Sequence, residues 1–256
     1  MRSRWWTTTA LVIAIPLAVS AAPGDVVTDY GENGRVPIES VTENVGVVDV
    51  TADFAGRAAV SVAGDAESGF GALVSADGSE VADLEFDSPS EVAFGPDGYL
   101  YVAGRSSGSA VVSRYDASGS LDASYGTGGT AELPVAGAIP TGVHVDSSGA
   151  VVVGGTLDDQ QAWAVRLDSA GKVDSGFGRS GVVTLLTDDG GDSDFIVPVG
   201  VHAIDGGYMA VILDASTSGD RARAVTFDRS GAELVIDLAT ADEIASLHAA
   251  IVGTLR

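Results

Sequence analysis

The chain has 256 residues, with 36 acidic and 13 basic side chains and therefore a formal net charge of −23. This charge excludes a typical nucleic-acid-binding protein, because such a surface must attract phosphates rather than repel them. The absence of cysteine excludes disulfides and cysteine-ligated metal sites, while a hydrophobic content of 45% is enough to bury a globular core.

The first 21 residues have the features of a cleaved signal peptide. Arg2 and Arg4 precede an apolar stretch, residues 10–19, and the small residues Val19-Ser20-Ala21 form a cleavage site. The alternative is a retained membrane anchor, but the apolar stretch is shorter than the roughly 20 residues that span a bilayer. We therefore expect Sec-type export of residues 22–256, a secreted, extracellular location and no transmembrane segment in the mature chain.

Four copies of one pattern organise the rest of the sequence. In each copy, two turns that end in glycine separate short apolar stretches, and the distance between the two turns is nearly constant while the connection to the next copy varies. The first turns end at Gly56, Gly98, Gly149 and Gly207, and the second turns end at Gly78, Gly119, Gly171 and Gly231. Aspartate caps the N–H groups of such turns and glycine accepts a positive φ, so the copies predict antiparallel hairpins.

A third element follows the second turn in the two central copies. Tyr125 and Phe177 each lie six residues after the turn glycine, and each is followed by glycine. The same element occurs once near the N-terminus, in residues 29–34, where no copy precedes it. A detached piece of this kind is what a ring of blades needs if its first residues complete its last blade.

Residues 115–129 and 166–178 resemble the delta-60 repeat of bacterial secreted and surface proteins, and residues 95–104 fit the preceding half of that repeat. The resemblance extends over roughly residues 26–235, and it weakens in the outer copies, where Leu84-Glu85 and Asp237-Leu238 replace the aromatic–glycine pair. It implies an all-β fold similar to a β-propeller. The family has no agreed biochemical role, so the resemblance adds little about function.

We therefore expect a single all-β domain over residues 22–256, a β-propeller of four to five blades built from antiparallel four-stranded repeats. The predicted units are residues 36–86, 87–129, 130–181 and 182–238, and a closing segment, 239–256, joins 26–35. Residues 240–255 fit two structures. A capping box at Thr240 with Ile244, Leu247 and Ile251 at helical spacing predicts a short C-terminal helix, whereas aligned as a repeat the same residues form the first two strands of a fifth blade.

The search for catalytic motifs finds no phosphate-binding loop and no nucleophile elbow, and we assign no catalytic residue. His144 and His202 occupy matching places before the first turn, on strands that would line the propeller channel; the first two copies have Asp49 or Val50 and Ala93 or Phe94 there. Either the histidines are metal ligands or proton carriers, or they are partly buried strand residues.

An acidic loop is the sharpest metal hypothesis. Asp188, Asp189, Asp192 and Asp194 lie close together with two glycines, and a flexible loop of carboxylates can supply several oxygen ligands to calcium. The alternative is a solvated connection without metal. We expect no other cofactor.

These features favour an exported, non-catalytic binding or scaffold module, associated with the cell surface, that acts as a monomer on a protein or glycan partner and not on nucleic acid. The first alternative is a propeller hydrolase or lyase with a metal in the central channel, which requires acidic or histidine side chains to converge from several blades. The second alternative is a degenerate array without activity of its own.

Overall fold

The structure is a computed structural model, and it describes residues 30–38, 46–63, 69–79, 81–86, 88–157, 161–187, 193–216, 221–228, 230 and 233–240. Within these ranges the chain forms strands and turns and no helix. The strands are β1 (Gly46–Ala52), β2 (Ala58–Ala63), β3 (Gly69–Val74), β4 (Val81–Phe86), β5 (Ser88–Phe94), β6 (Leu100–Ser106), β7 (Ser109–Tyr115), β8 (Thr130–Glu132), β9 (Ile139–Val145), β10 (Val151–Leu157), β11 (Gln161–Leu167), β12 (Val182–Thr187), β13 (Ser193–Ile204), β14 (Gly207–Ser216), β15 (Arg221–Phe227) and β16 (Glu233–Thr240).

These strands form four antiparallel sheets of four strands each, and every sheet is a simple meander in chain order. The sheets, which we call blades 1 to 4, are β1–β4, β5–β8, β9–β12 and β13–β16. They are the blades of a four-bladed β-propeller, and the predicted fold class is confirmed. The predicted boundaries after residues 129 and 181 fall just before β8 and β12, so these outer strands belong to the blade that precedes each boundary.

The turn chemistry that predicts hairpins from the sequence is visible in atomic contacts. In the turn between β9 and β10, Asp146 Oδ1 accepts hydrogen bonds from the N–H groups of Ser148, at 2.8 Å, and Ala150, at 3.1 Å. Gly149 has a φ of +77°, which an L side chain rarely adopts. The aspartate satisfies the turn amides and the glycine supplies the reversal, so both residues are needed for a tight connection.

The aromatic–glycine element joins neighbouring blades. Tyr125 lies in the connection between β7 and β8 of blade 2, and the N–H of the following Gly126 donates to the carbonyl of Ala170 in blade 3 at 2.9 Å. Tyr125 is fully buried and makes an edge-on contact with Tyr101, with ring centroids 5.7 Å apart. Phe177 is equally buried and contacts Tyr208 of blade 4. Each element therefore fixes its own blade against the next one.

Arginine side chains make a second set of contacts between blades. Arg114 donates through Nη1 to the carbonyl of Ser169 in blade 3 at 2.8 Å. Arg166 of blade 3 forms ion pairs with Asp146, at 3.0 Å, and Asp174, at 2.6 Å, and donates to the hydroxyl of Tyr208 in blade 4 at 2.9 Å. These ions are largely buried, and a buried charge is tolerated only where such partners surround it.

Several expectations fall on residues outside the described ranges. They are the signal peptide, residues 1–21, and the C-terminal segment after Thr240, for which the sequence predicts a helix or the strands of a fifth blade. In the part of the chain that the structure describes, no helix has the length and apolarity needed to cross a membrane.

Candidate functional site

The innermost strand of each blade faces the propeller axis, where the four strands enclose a cavity of about 410 Å³. The strands are β1, β5, β9 and β13, and each contributes residues that lie just before its first turn. The cavity has one titratable side chain from each blade, and these are Asp49, Glu91, His144 and His202. A concave site with converging polar groups from several elements is the usual form of a ligand-binding or catalytic site.

All four inner strands carry a β-bulge at the same place. The extra residue that lacks a partner in the second strand is Val48, Ser90, Thr141 or Val199. The residues that directly follow the bulges are Asp49, Glu91, Gly142 and Gly200. A bulge redirects the side chains beside it, so the shared bulge directs the residue that follows it towards the axial cavity. Bulges are common next to active sites.

Blades 1 and 2 place two carboxyl groups in contact at this level. Asp49 Oδ2 accepts a hydrogen bond from the N–H of Val92 at 3.0 Å, and its Oδ1 accepts one from the N–H of Val50 at 2.7 Å. Burial, together with the charge of Asp49 and a hydrogen bond to it, raises the pKa of Glu91 from 4.5 to about 8. At neutral pH Glu91 therefore keeps its proton.

Blades 3 and 4 place two imidazoles two residues further towards the turns. The rings of His144 and His202 make an edge-on contact, with centroids 6.3 Å apart. His202 is exposed at the cavity mouth and His144 is partly buried. Burial, and then the neighbouring His202, lower the pKa of His144, so its imidazole is neutral at pH 7.

Glycine in blades 3 and 4 makes room for these rings. A Cβ atom on Gly200 would lie 3.2 Å from Nε2 of His202, and one on Gly142 would lie 3.2 Å from the Cα of Gly200. The glycines thus allow the two inner strands and the imidazole to approach closely. The site has a carboxyl half, contributed by blades 1 and 2, and an imidazole half, contributed by blades 3 and 4.

Sequence reasoning identified the histidines and missed the role of the carboxyl pair. In each inner strand the reference point is the residue whose carbonyl accepts the hydrogen bond of the first turn. His144 is the second residue before this point, and Asp49 and Glu91 are each the fourth residue before it. Thr51 and Ala93, not Asp49 or Val50 and Phe94, therefore correspond to the histidines. The same count would have found Glu91 in the sequence, because fourth and second residues face the same side of a strand.

The metal hypotheses receive no support from the described residues. Asp188, Asp189 and Asp192 lie outside the described ranges. Asp194 belongs to β13, but its side chain is not described. In the ranges that the structure covers, no group of three or more histidine and acidic side chains is arranged to hold a metal ion. We derive no catalytic step through a metal.

Comparison with known proteins identifies the fold. No protein-family model matches the chain, and no curated protein matches it in sequence. The PQQ-bound aldose sugar dehydrogenase of Streptomyces coelicolor is similar over 83% of this chain and 71% of its own, with 14% identity and a TM-score of 0.50. An α-L-arabinofuranosidase of Clostridium thermocellum is similar over 76% and 72%, with 12% identity and a TM-score of 0.45.

A second α-L-arabinofuranosidase, from Podospora anserina and crystallised with cellotriose, is similar over 77% of this chain and 69% of its own, with 18% identity and a TM-score of 0.46. At such identities the similarity shows the fold alone.

Proposed function

We propose that the chain is a hydrolase that acts on a small, neutral, polar substrate in the axial cavity, with Glu91 and Asp49 as its acid–base pair. The observation that carries this proposal is that carboxyl groups from two neighbouring blades line one cavity, where Asp49 accepts a hydrogen bond from the N–H of Val92 and burial keeps Glu91 protonated. Such pairs are a common way in which a fold assigns the roles of acid and base. The proposal corresponds to the hydrolase alternative of the sequence analysis, without its metal.

In the proposed reaction Asp49 accepts a proton from a water molecule as the water oxygen attacks the substrate. Glu91 donates its proton to the leaving group. The hydrogen bond between the two carboxyl groups then returns a proton from Asp49 to Glu91, which restores the starting state. The neutral imidazole of His144 lies in the same cavity and offers one donor and one acceptor for orienting the substrate.

The contact between the carboxyl groups bears on the substrate class. The two acids of a typical glycosidase are at least about 5 Å apart, because sugar or water must fit between them. Carboxyl groups that share a proton directly are better suited to hydrolysis of an ester or amide, as in the paired aspartates of acid proteases. A net charge of −23 repels anionic substrates, which favours neutral ones.

The test is a turnover assay of the full chain with neutral nitrophenyl esters, anilides and glycosides between pH 5 and 9. We expect ester or anilide hydrolysis that falls as the pH rises through about 8, where Glu91 loses its proton. Glu91→Gln and Asp49→Asn should each remove activity, by a factor of about 100 or more. Glu132→Gln is the matched control, since Glu132 is an exposed glutamate on the outer strand β8.

Turnover that survives both variants would contradict the proposal. A non-catalytic binding module is the second candidate. It is favoured because the residues that follow the bulges in blades 3 and 4 are Gly142 and Gly200, which have no functional side chain. Saturable binding of a substrate analogue to the axial cavity, weakened by Asp49→Asn but without turnover, would support this second candidate.

We also propose, from the sequence, that the chain is exported, that it belongs with the delta-60 repeat proteins, and that it has a protein or glycan partner. N-terminal sequencing of the protein recovered from the culture medium tests the export proposal. A mature N-terminus at Ala22 is expected, whereas retention of Met1 in the cell fraction would contradict it.

A further inference from the structure

The imidazole of His202 reaches back along β13 to the ring of residues that directly follow the bulges, which we call the carboxyl level. A Cβ atom on Gly200 would lie 3.2 Å from Nε2 of His202. Gly200 follows the bulge of β13, so it is equivalent to Asp49 and Glu91 of blades 1 and 2. The imidazole therefore fills part of the space that a side chain at the carboxyl level would take in blade 4.

His144 does not make the matching approach in blade 3. The three atoms nearest to a Cβ on Gly142 all belong to the main chain of Gly200 and Val201 in blade 4, at 3.2 to 3.4 Å. The ring of His144 lies beside that of His202, with centroids 6.3 Å apart. Of these two histidines, His202 is thus the one whose nitrogen lies at the carboxyl level.

Nε2 of His202 is open to a ligand. The side chain is exposed and lines the axial cavity. Among the residues that the structure describes, none forms a hydrogen bond or an ion pair with this imidazole, which makes a ring contact with His144. Nε2 carries a proton in the imidazolium and in one of the two neutral tautomers, so it can donate a hydrogen bond to a molecule in the cavity.

We propose that His202 contacts the substrate at the carboxyl level and that its Nε2–H donates to the carbonyl oxygen, a role that rests on the proposed hydrolase function. When water attacks an ester or amide, the electron pair of the C=O bond moves to the oxygen, which becomes negative. Asp49 takes the proton of the water and Glu91 supplies the proton of the leaving group, but neither group stabilises this oxygen. The hydrogen bond from His202 does so until the leaving group departs and the C=O bond forms again.

This role narrows the substrate class to compounds that react at a carbonyl carbon. A donor beside the reacting centre stabilises negative charge that develops on oxygen, as in the hydrolysis of an ester or amide. The transition state of glycoside hydrolysis instead places positive charge on the sugar ring, and a hydrogen-bond donor gives it no comparable help. The exposed imidazole therefore favours carbonyl compounds over glycosides.

Turnover of a neutral nitrophenyl ester by the full chain tests the role of His202. His202→Ala should lower kcat by a factor of about 100 or more with little change in KM, because the hydrogen bond is made mainly in the transition state. His202→Gln should restore part of the activity, since its amide N–H can donate from a similar place.

Gly200→Ala tests the geometry without removing the imidazole. The φ of Gly200 lies outside the left-handed region, and the crowded atom is at the end of a flexible side chain, so the variant should fold and turn the ring aside. We expect kcat to fall several-fold. Gly46→Ala is the matched control, because a Cβ on Gly46 would meet nothing within 4 Å, and it should leave kcat unchanged.

A second measurement does not require turnover. The chain has three histidines, so the imidazole C–H resonances of His202 are assigned by their loss in His202→Gln. The probe is trifluoroacetone, a small neutral ketone that water converts to a geminal diol resembling the tetrahedral intermediate. We expect the probe to shift the His202 resonances saturably in the original chain, and several-fold less in Gly200→Ala.

The two measurements separate this role from the hydrolase proposal. Turnover that persists in His202→Ala would overturn the inference and leave the hydrolase proposal standing. A saturable shift of the His202 resonances in a chain without turnover would support the contact at the carboxyl level and overturn the hydrolase proposal. His202 resonances that the probe does not move would overturn the inference, whether or not the ester is hydrolysed.

Discussion

Asp49 of blade 1 accepts a hydrogen bond at 3.0 Å from the main-chain N–H of Val92 in blade 2, and burial together with the proximity of Asp49 raises the pKa of the adjacent Glu91 to about 8. The contact joins the inner strands of two blades beside an acid that is protonated at neutral pH and becomes charged as the pH rises. It is therefore sensitive to pH, whereas Arg114 and Arg166, whose ion pairs lie within their own blades, donate hydrogen bonds as permanent cations to the carbonyl of Ser169 in blade 3 and to the hydroxyl of Tyr208 in blade 4.

Stability should fall as the pH rises from about 5 to 9. The pKa of Glu91 is about 8 in the folded chain and lies near 4.5 when the group is exposed, so the folded state binds more protons between these values. Its contribution to the free energy of unfolding is complete below pH 4.5 and is lost as the pH rises through 8, by at most about 1.4 kcal/mol per pH unit. Urea titrations at several pH values measure this slope.

Glu91→Gln should flatten the slope, because the amide donates to Asp49 at every pH, and Glu132→Gln should leave it unchanged. A Glu91→Gln chain that loses stability with pH as steeply as the original would show that another group is responsible.

Arg166→Met should lower the free energy of unfolding by about 3–5 kcal/mol, because it leaves buried carboxylates of Asp146 and Asp174 without their cation. Urea denaturation followed by the fluorescence of the buried Trp163 measures this loss. Arg179→Met is the matched control, since Arg179 is exposed, and it should change stability by less than about 0.5 kcal/mol. Similar losses in the two variants would contradict a structural role for the Arg166 cluster.

A comparison of Gly171→Ala with Gly108→Ala separates the energetic cost of backbone strain from the cost of a steric clash between blades. Both glycines have similar φ values, +79° and +86°. A Cβ on Gly171 would lie 2.9 Å from the main-chain nitrogen of Gly126 and from the ring of Tyr125, whereas a Cβ on Gly108 would meet nothing within 4 Å.

We expect Gly108→Ala to cost about 1–2 kcal/mol, from the left-handed conformation alone, and Gly171→Ala to cost clearly more. Thermal melts of the two variants give the comparison. Equal melting temperatures would mean that blades 2 and 3 can separate at this point without loss.

Phe177→Ala should destabilise the chain by about 3–5 kcal/mol, because Phe177 is fully buried against the rings of Tyr208 and Phe227. Phe54→Ala removes the same number of atoms from a fully exposed turn and should have almost no effect. The two denaturation midpoints, measured side by side, check whether the aromatic element holds blade 3 to blade 4. A small loss for Phe177→Ala would show that it does not.

The calcium hypothesis for the acidic loop makes a separate prediction for the full chain. If Asp189 and Asp192 bind calcium in the native state only, calcium should raise the melting temperature and a chelator should reverse the rise. Asp189→Asn with Asp192→Asn should remove the response, while Glu132→Gln should preserve it. A melting temperature that calcium does not change would exclude the site.

The sequence is sufficient for the blades because their signals are local. Asp146 and Gly149 define a turn through contacts within five residues, and the spacing of such turns predicts the repeated hairpins. The contact between Asp49 and Glu91 joins two strands that are far apart in the chain, and it depends on bulges that leave no mark in composition. Arg166 looks like an ordinary strand residue until the fold brings Tyr208 beside it.

The four inner strands share the main-chain geometry that the matching bulges set, but they differ in the side chains that follow the bulges. Each bulge sets the local geometry through main-chain pairing, and this geometry holds a carboxylic acid in blades 1 and 2 and a glycine in blades 3 and 4. Aspartate, glutamate and two glycines now occupy these equivalent positions. The chemical difference between the two halves of the axial cavity therefore rests on four equivalent positions, while the main-chain geometry of the inner strands is common to all four blades.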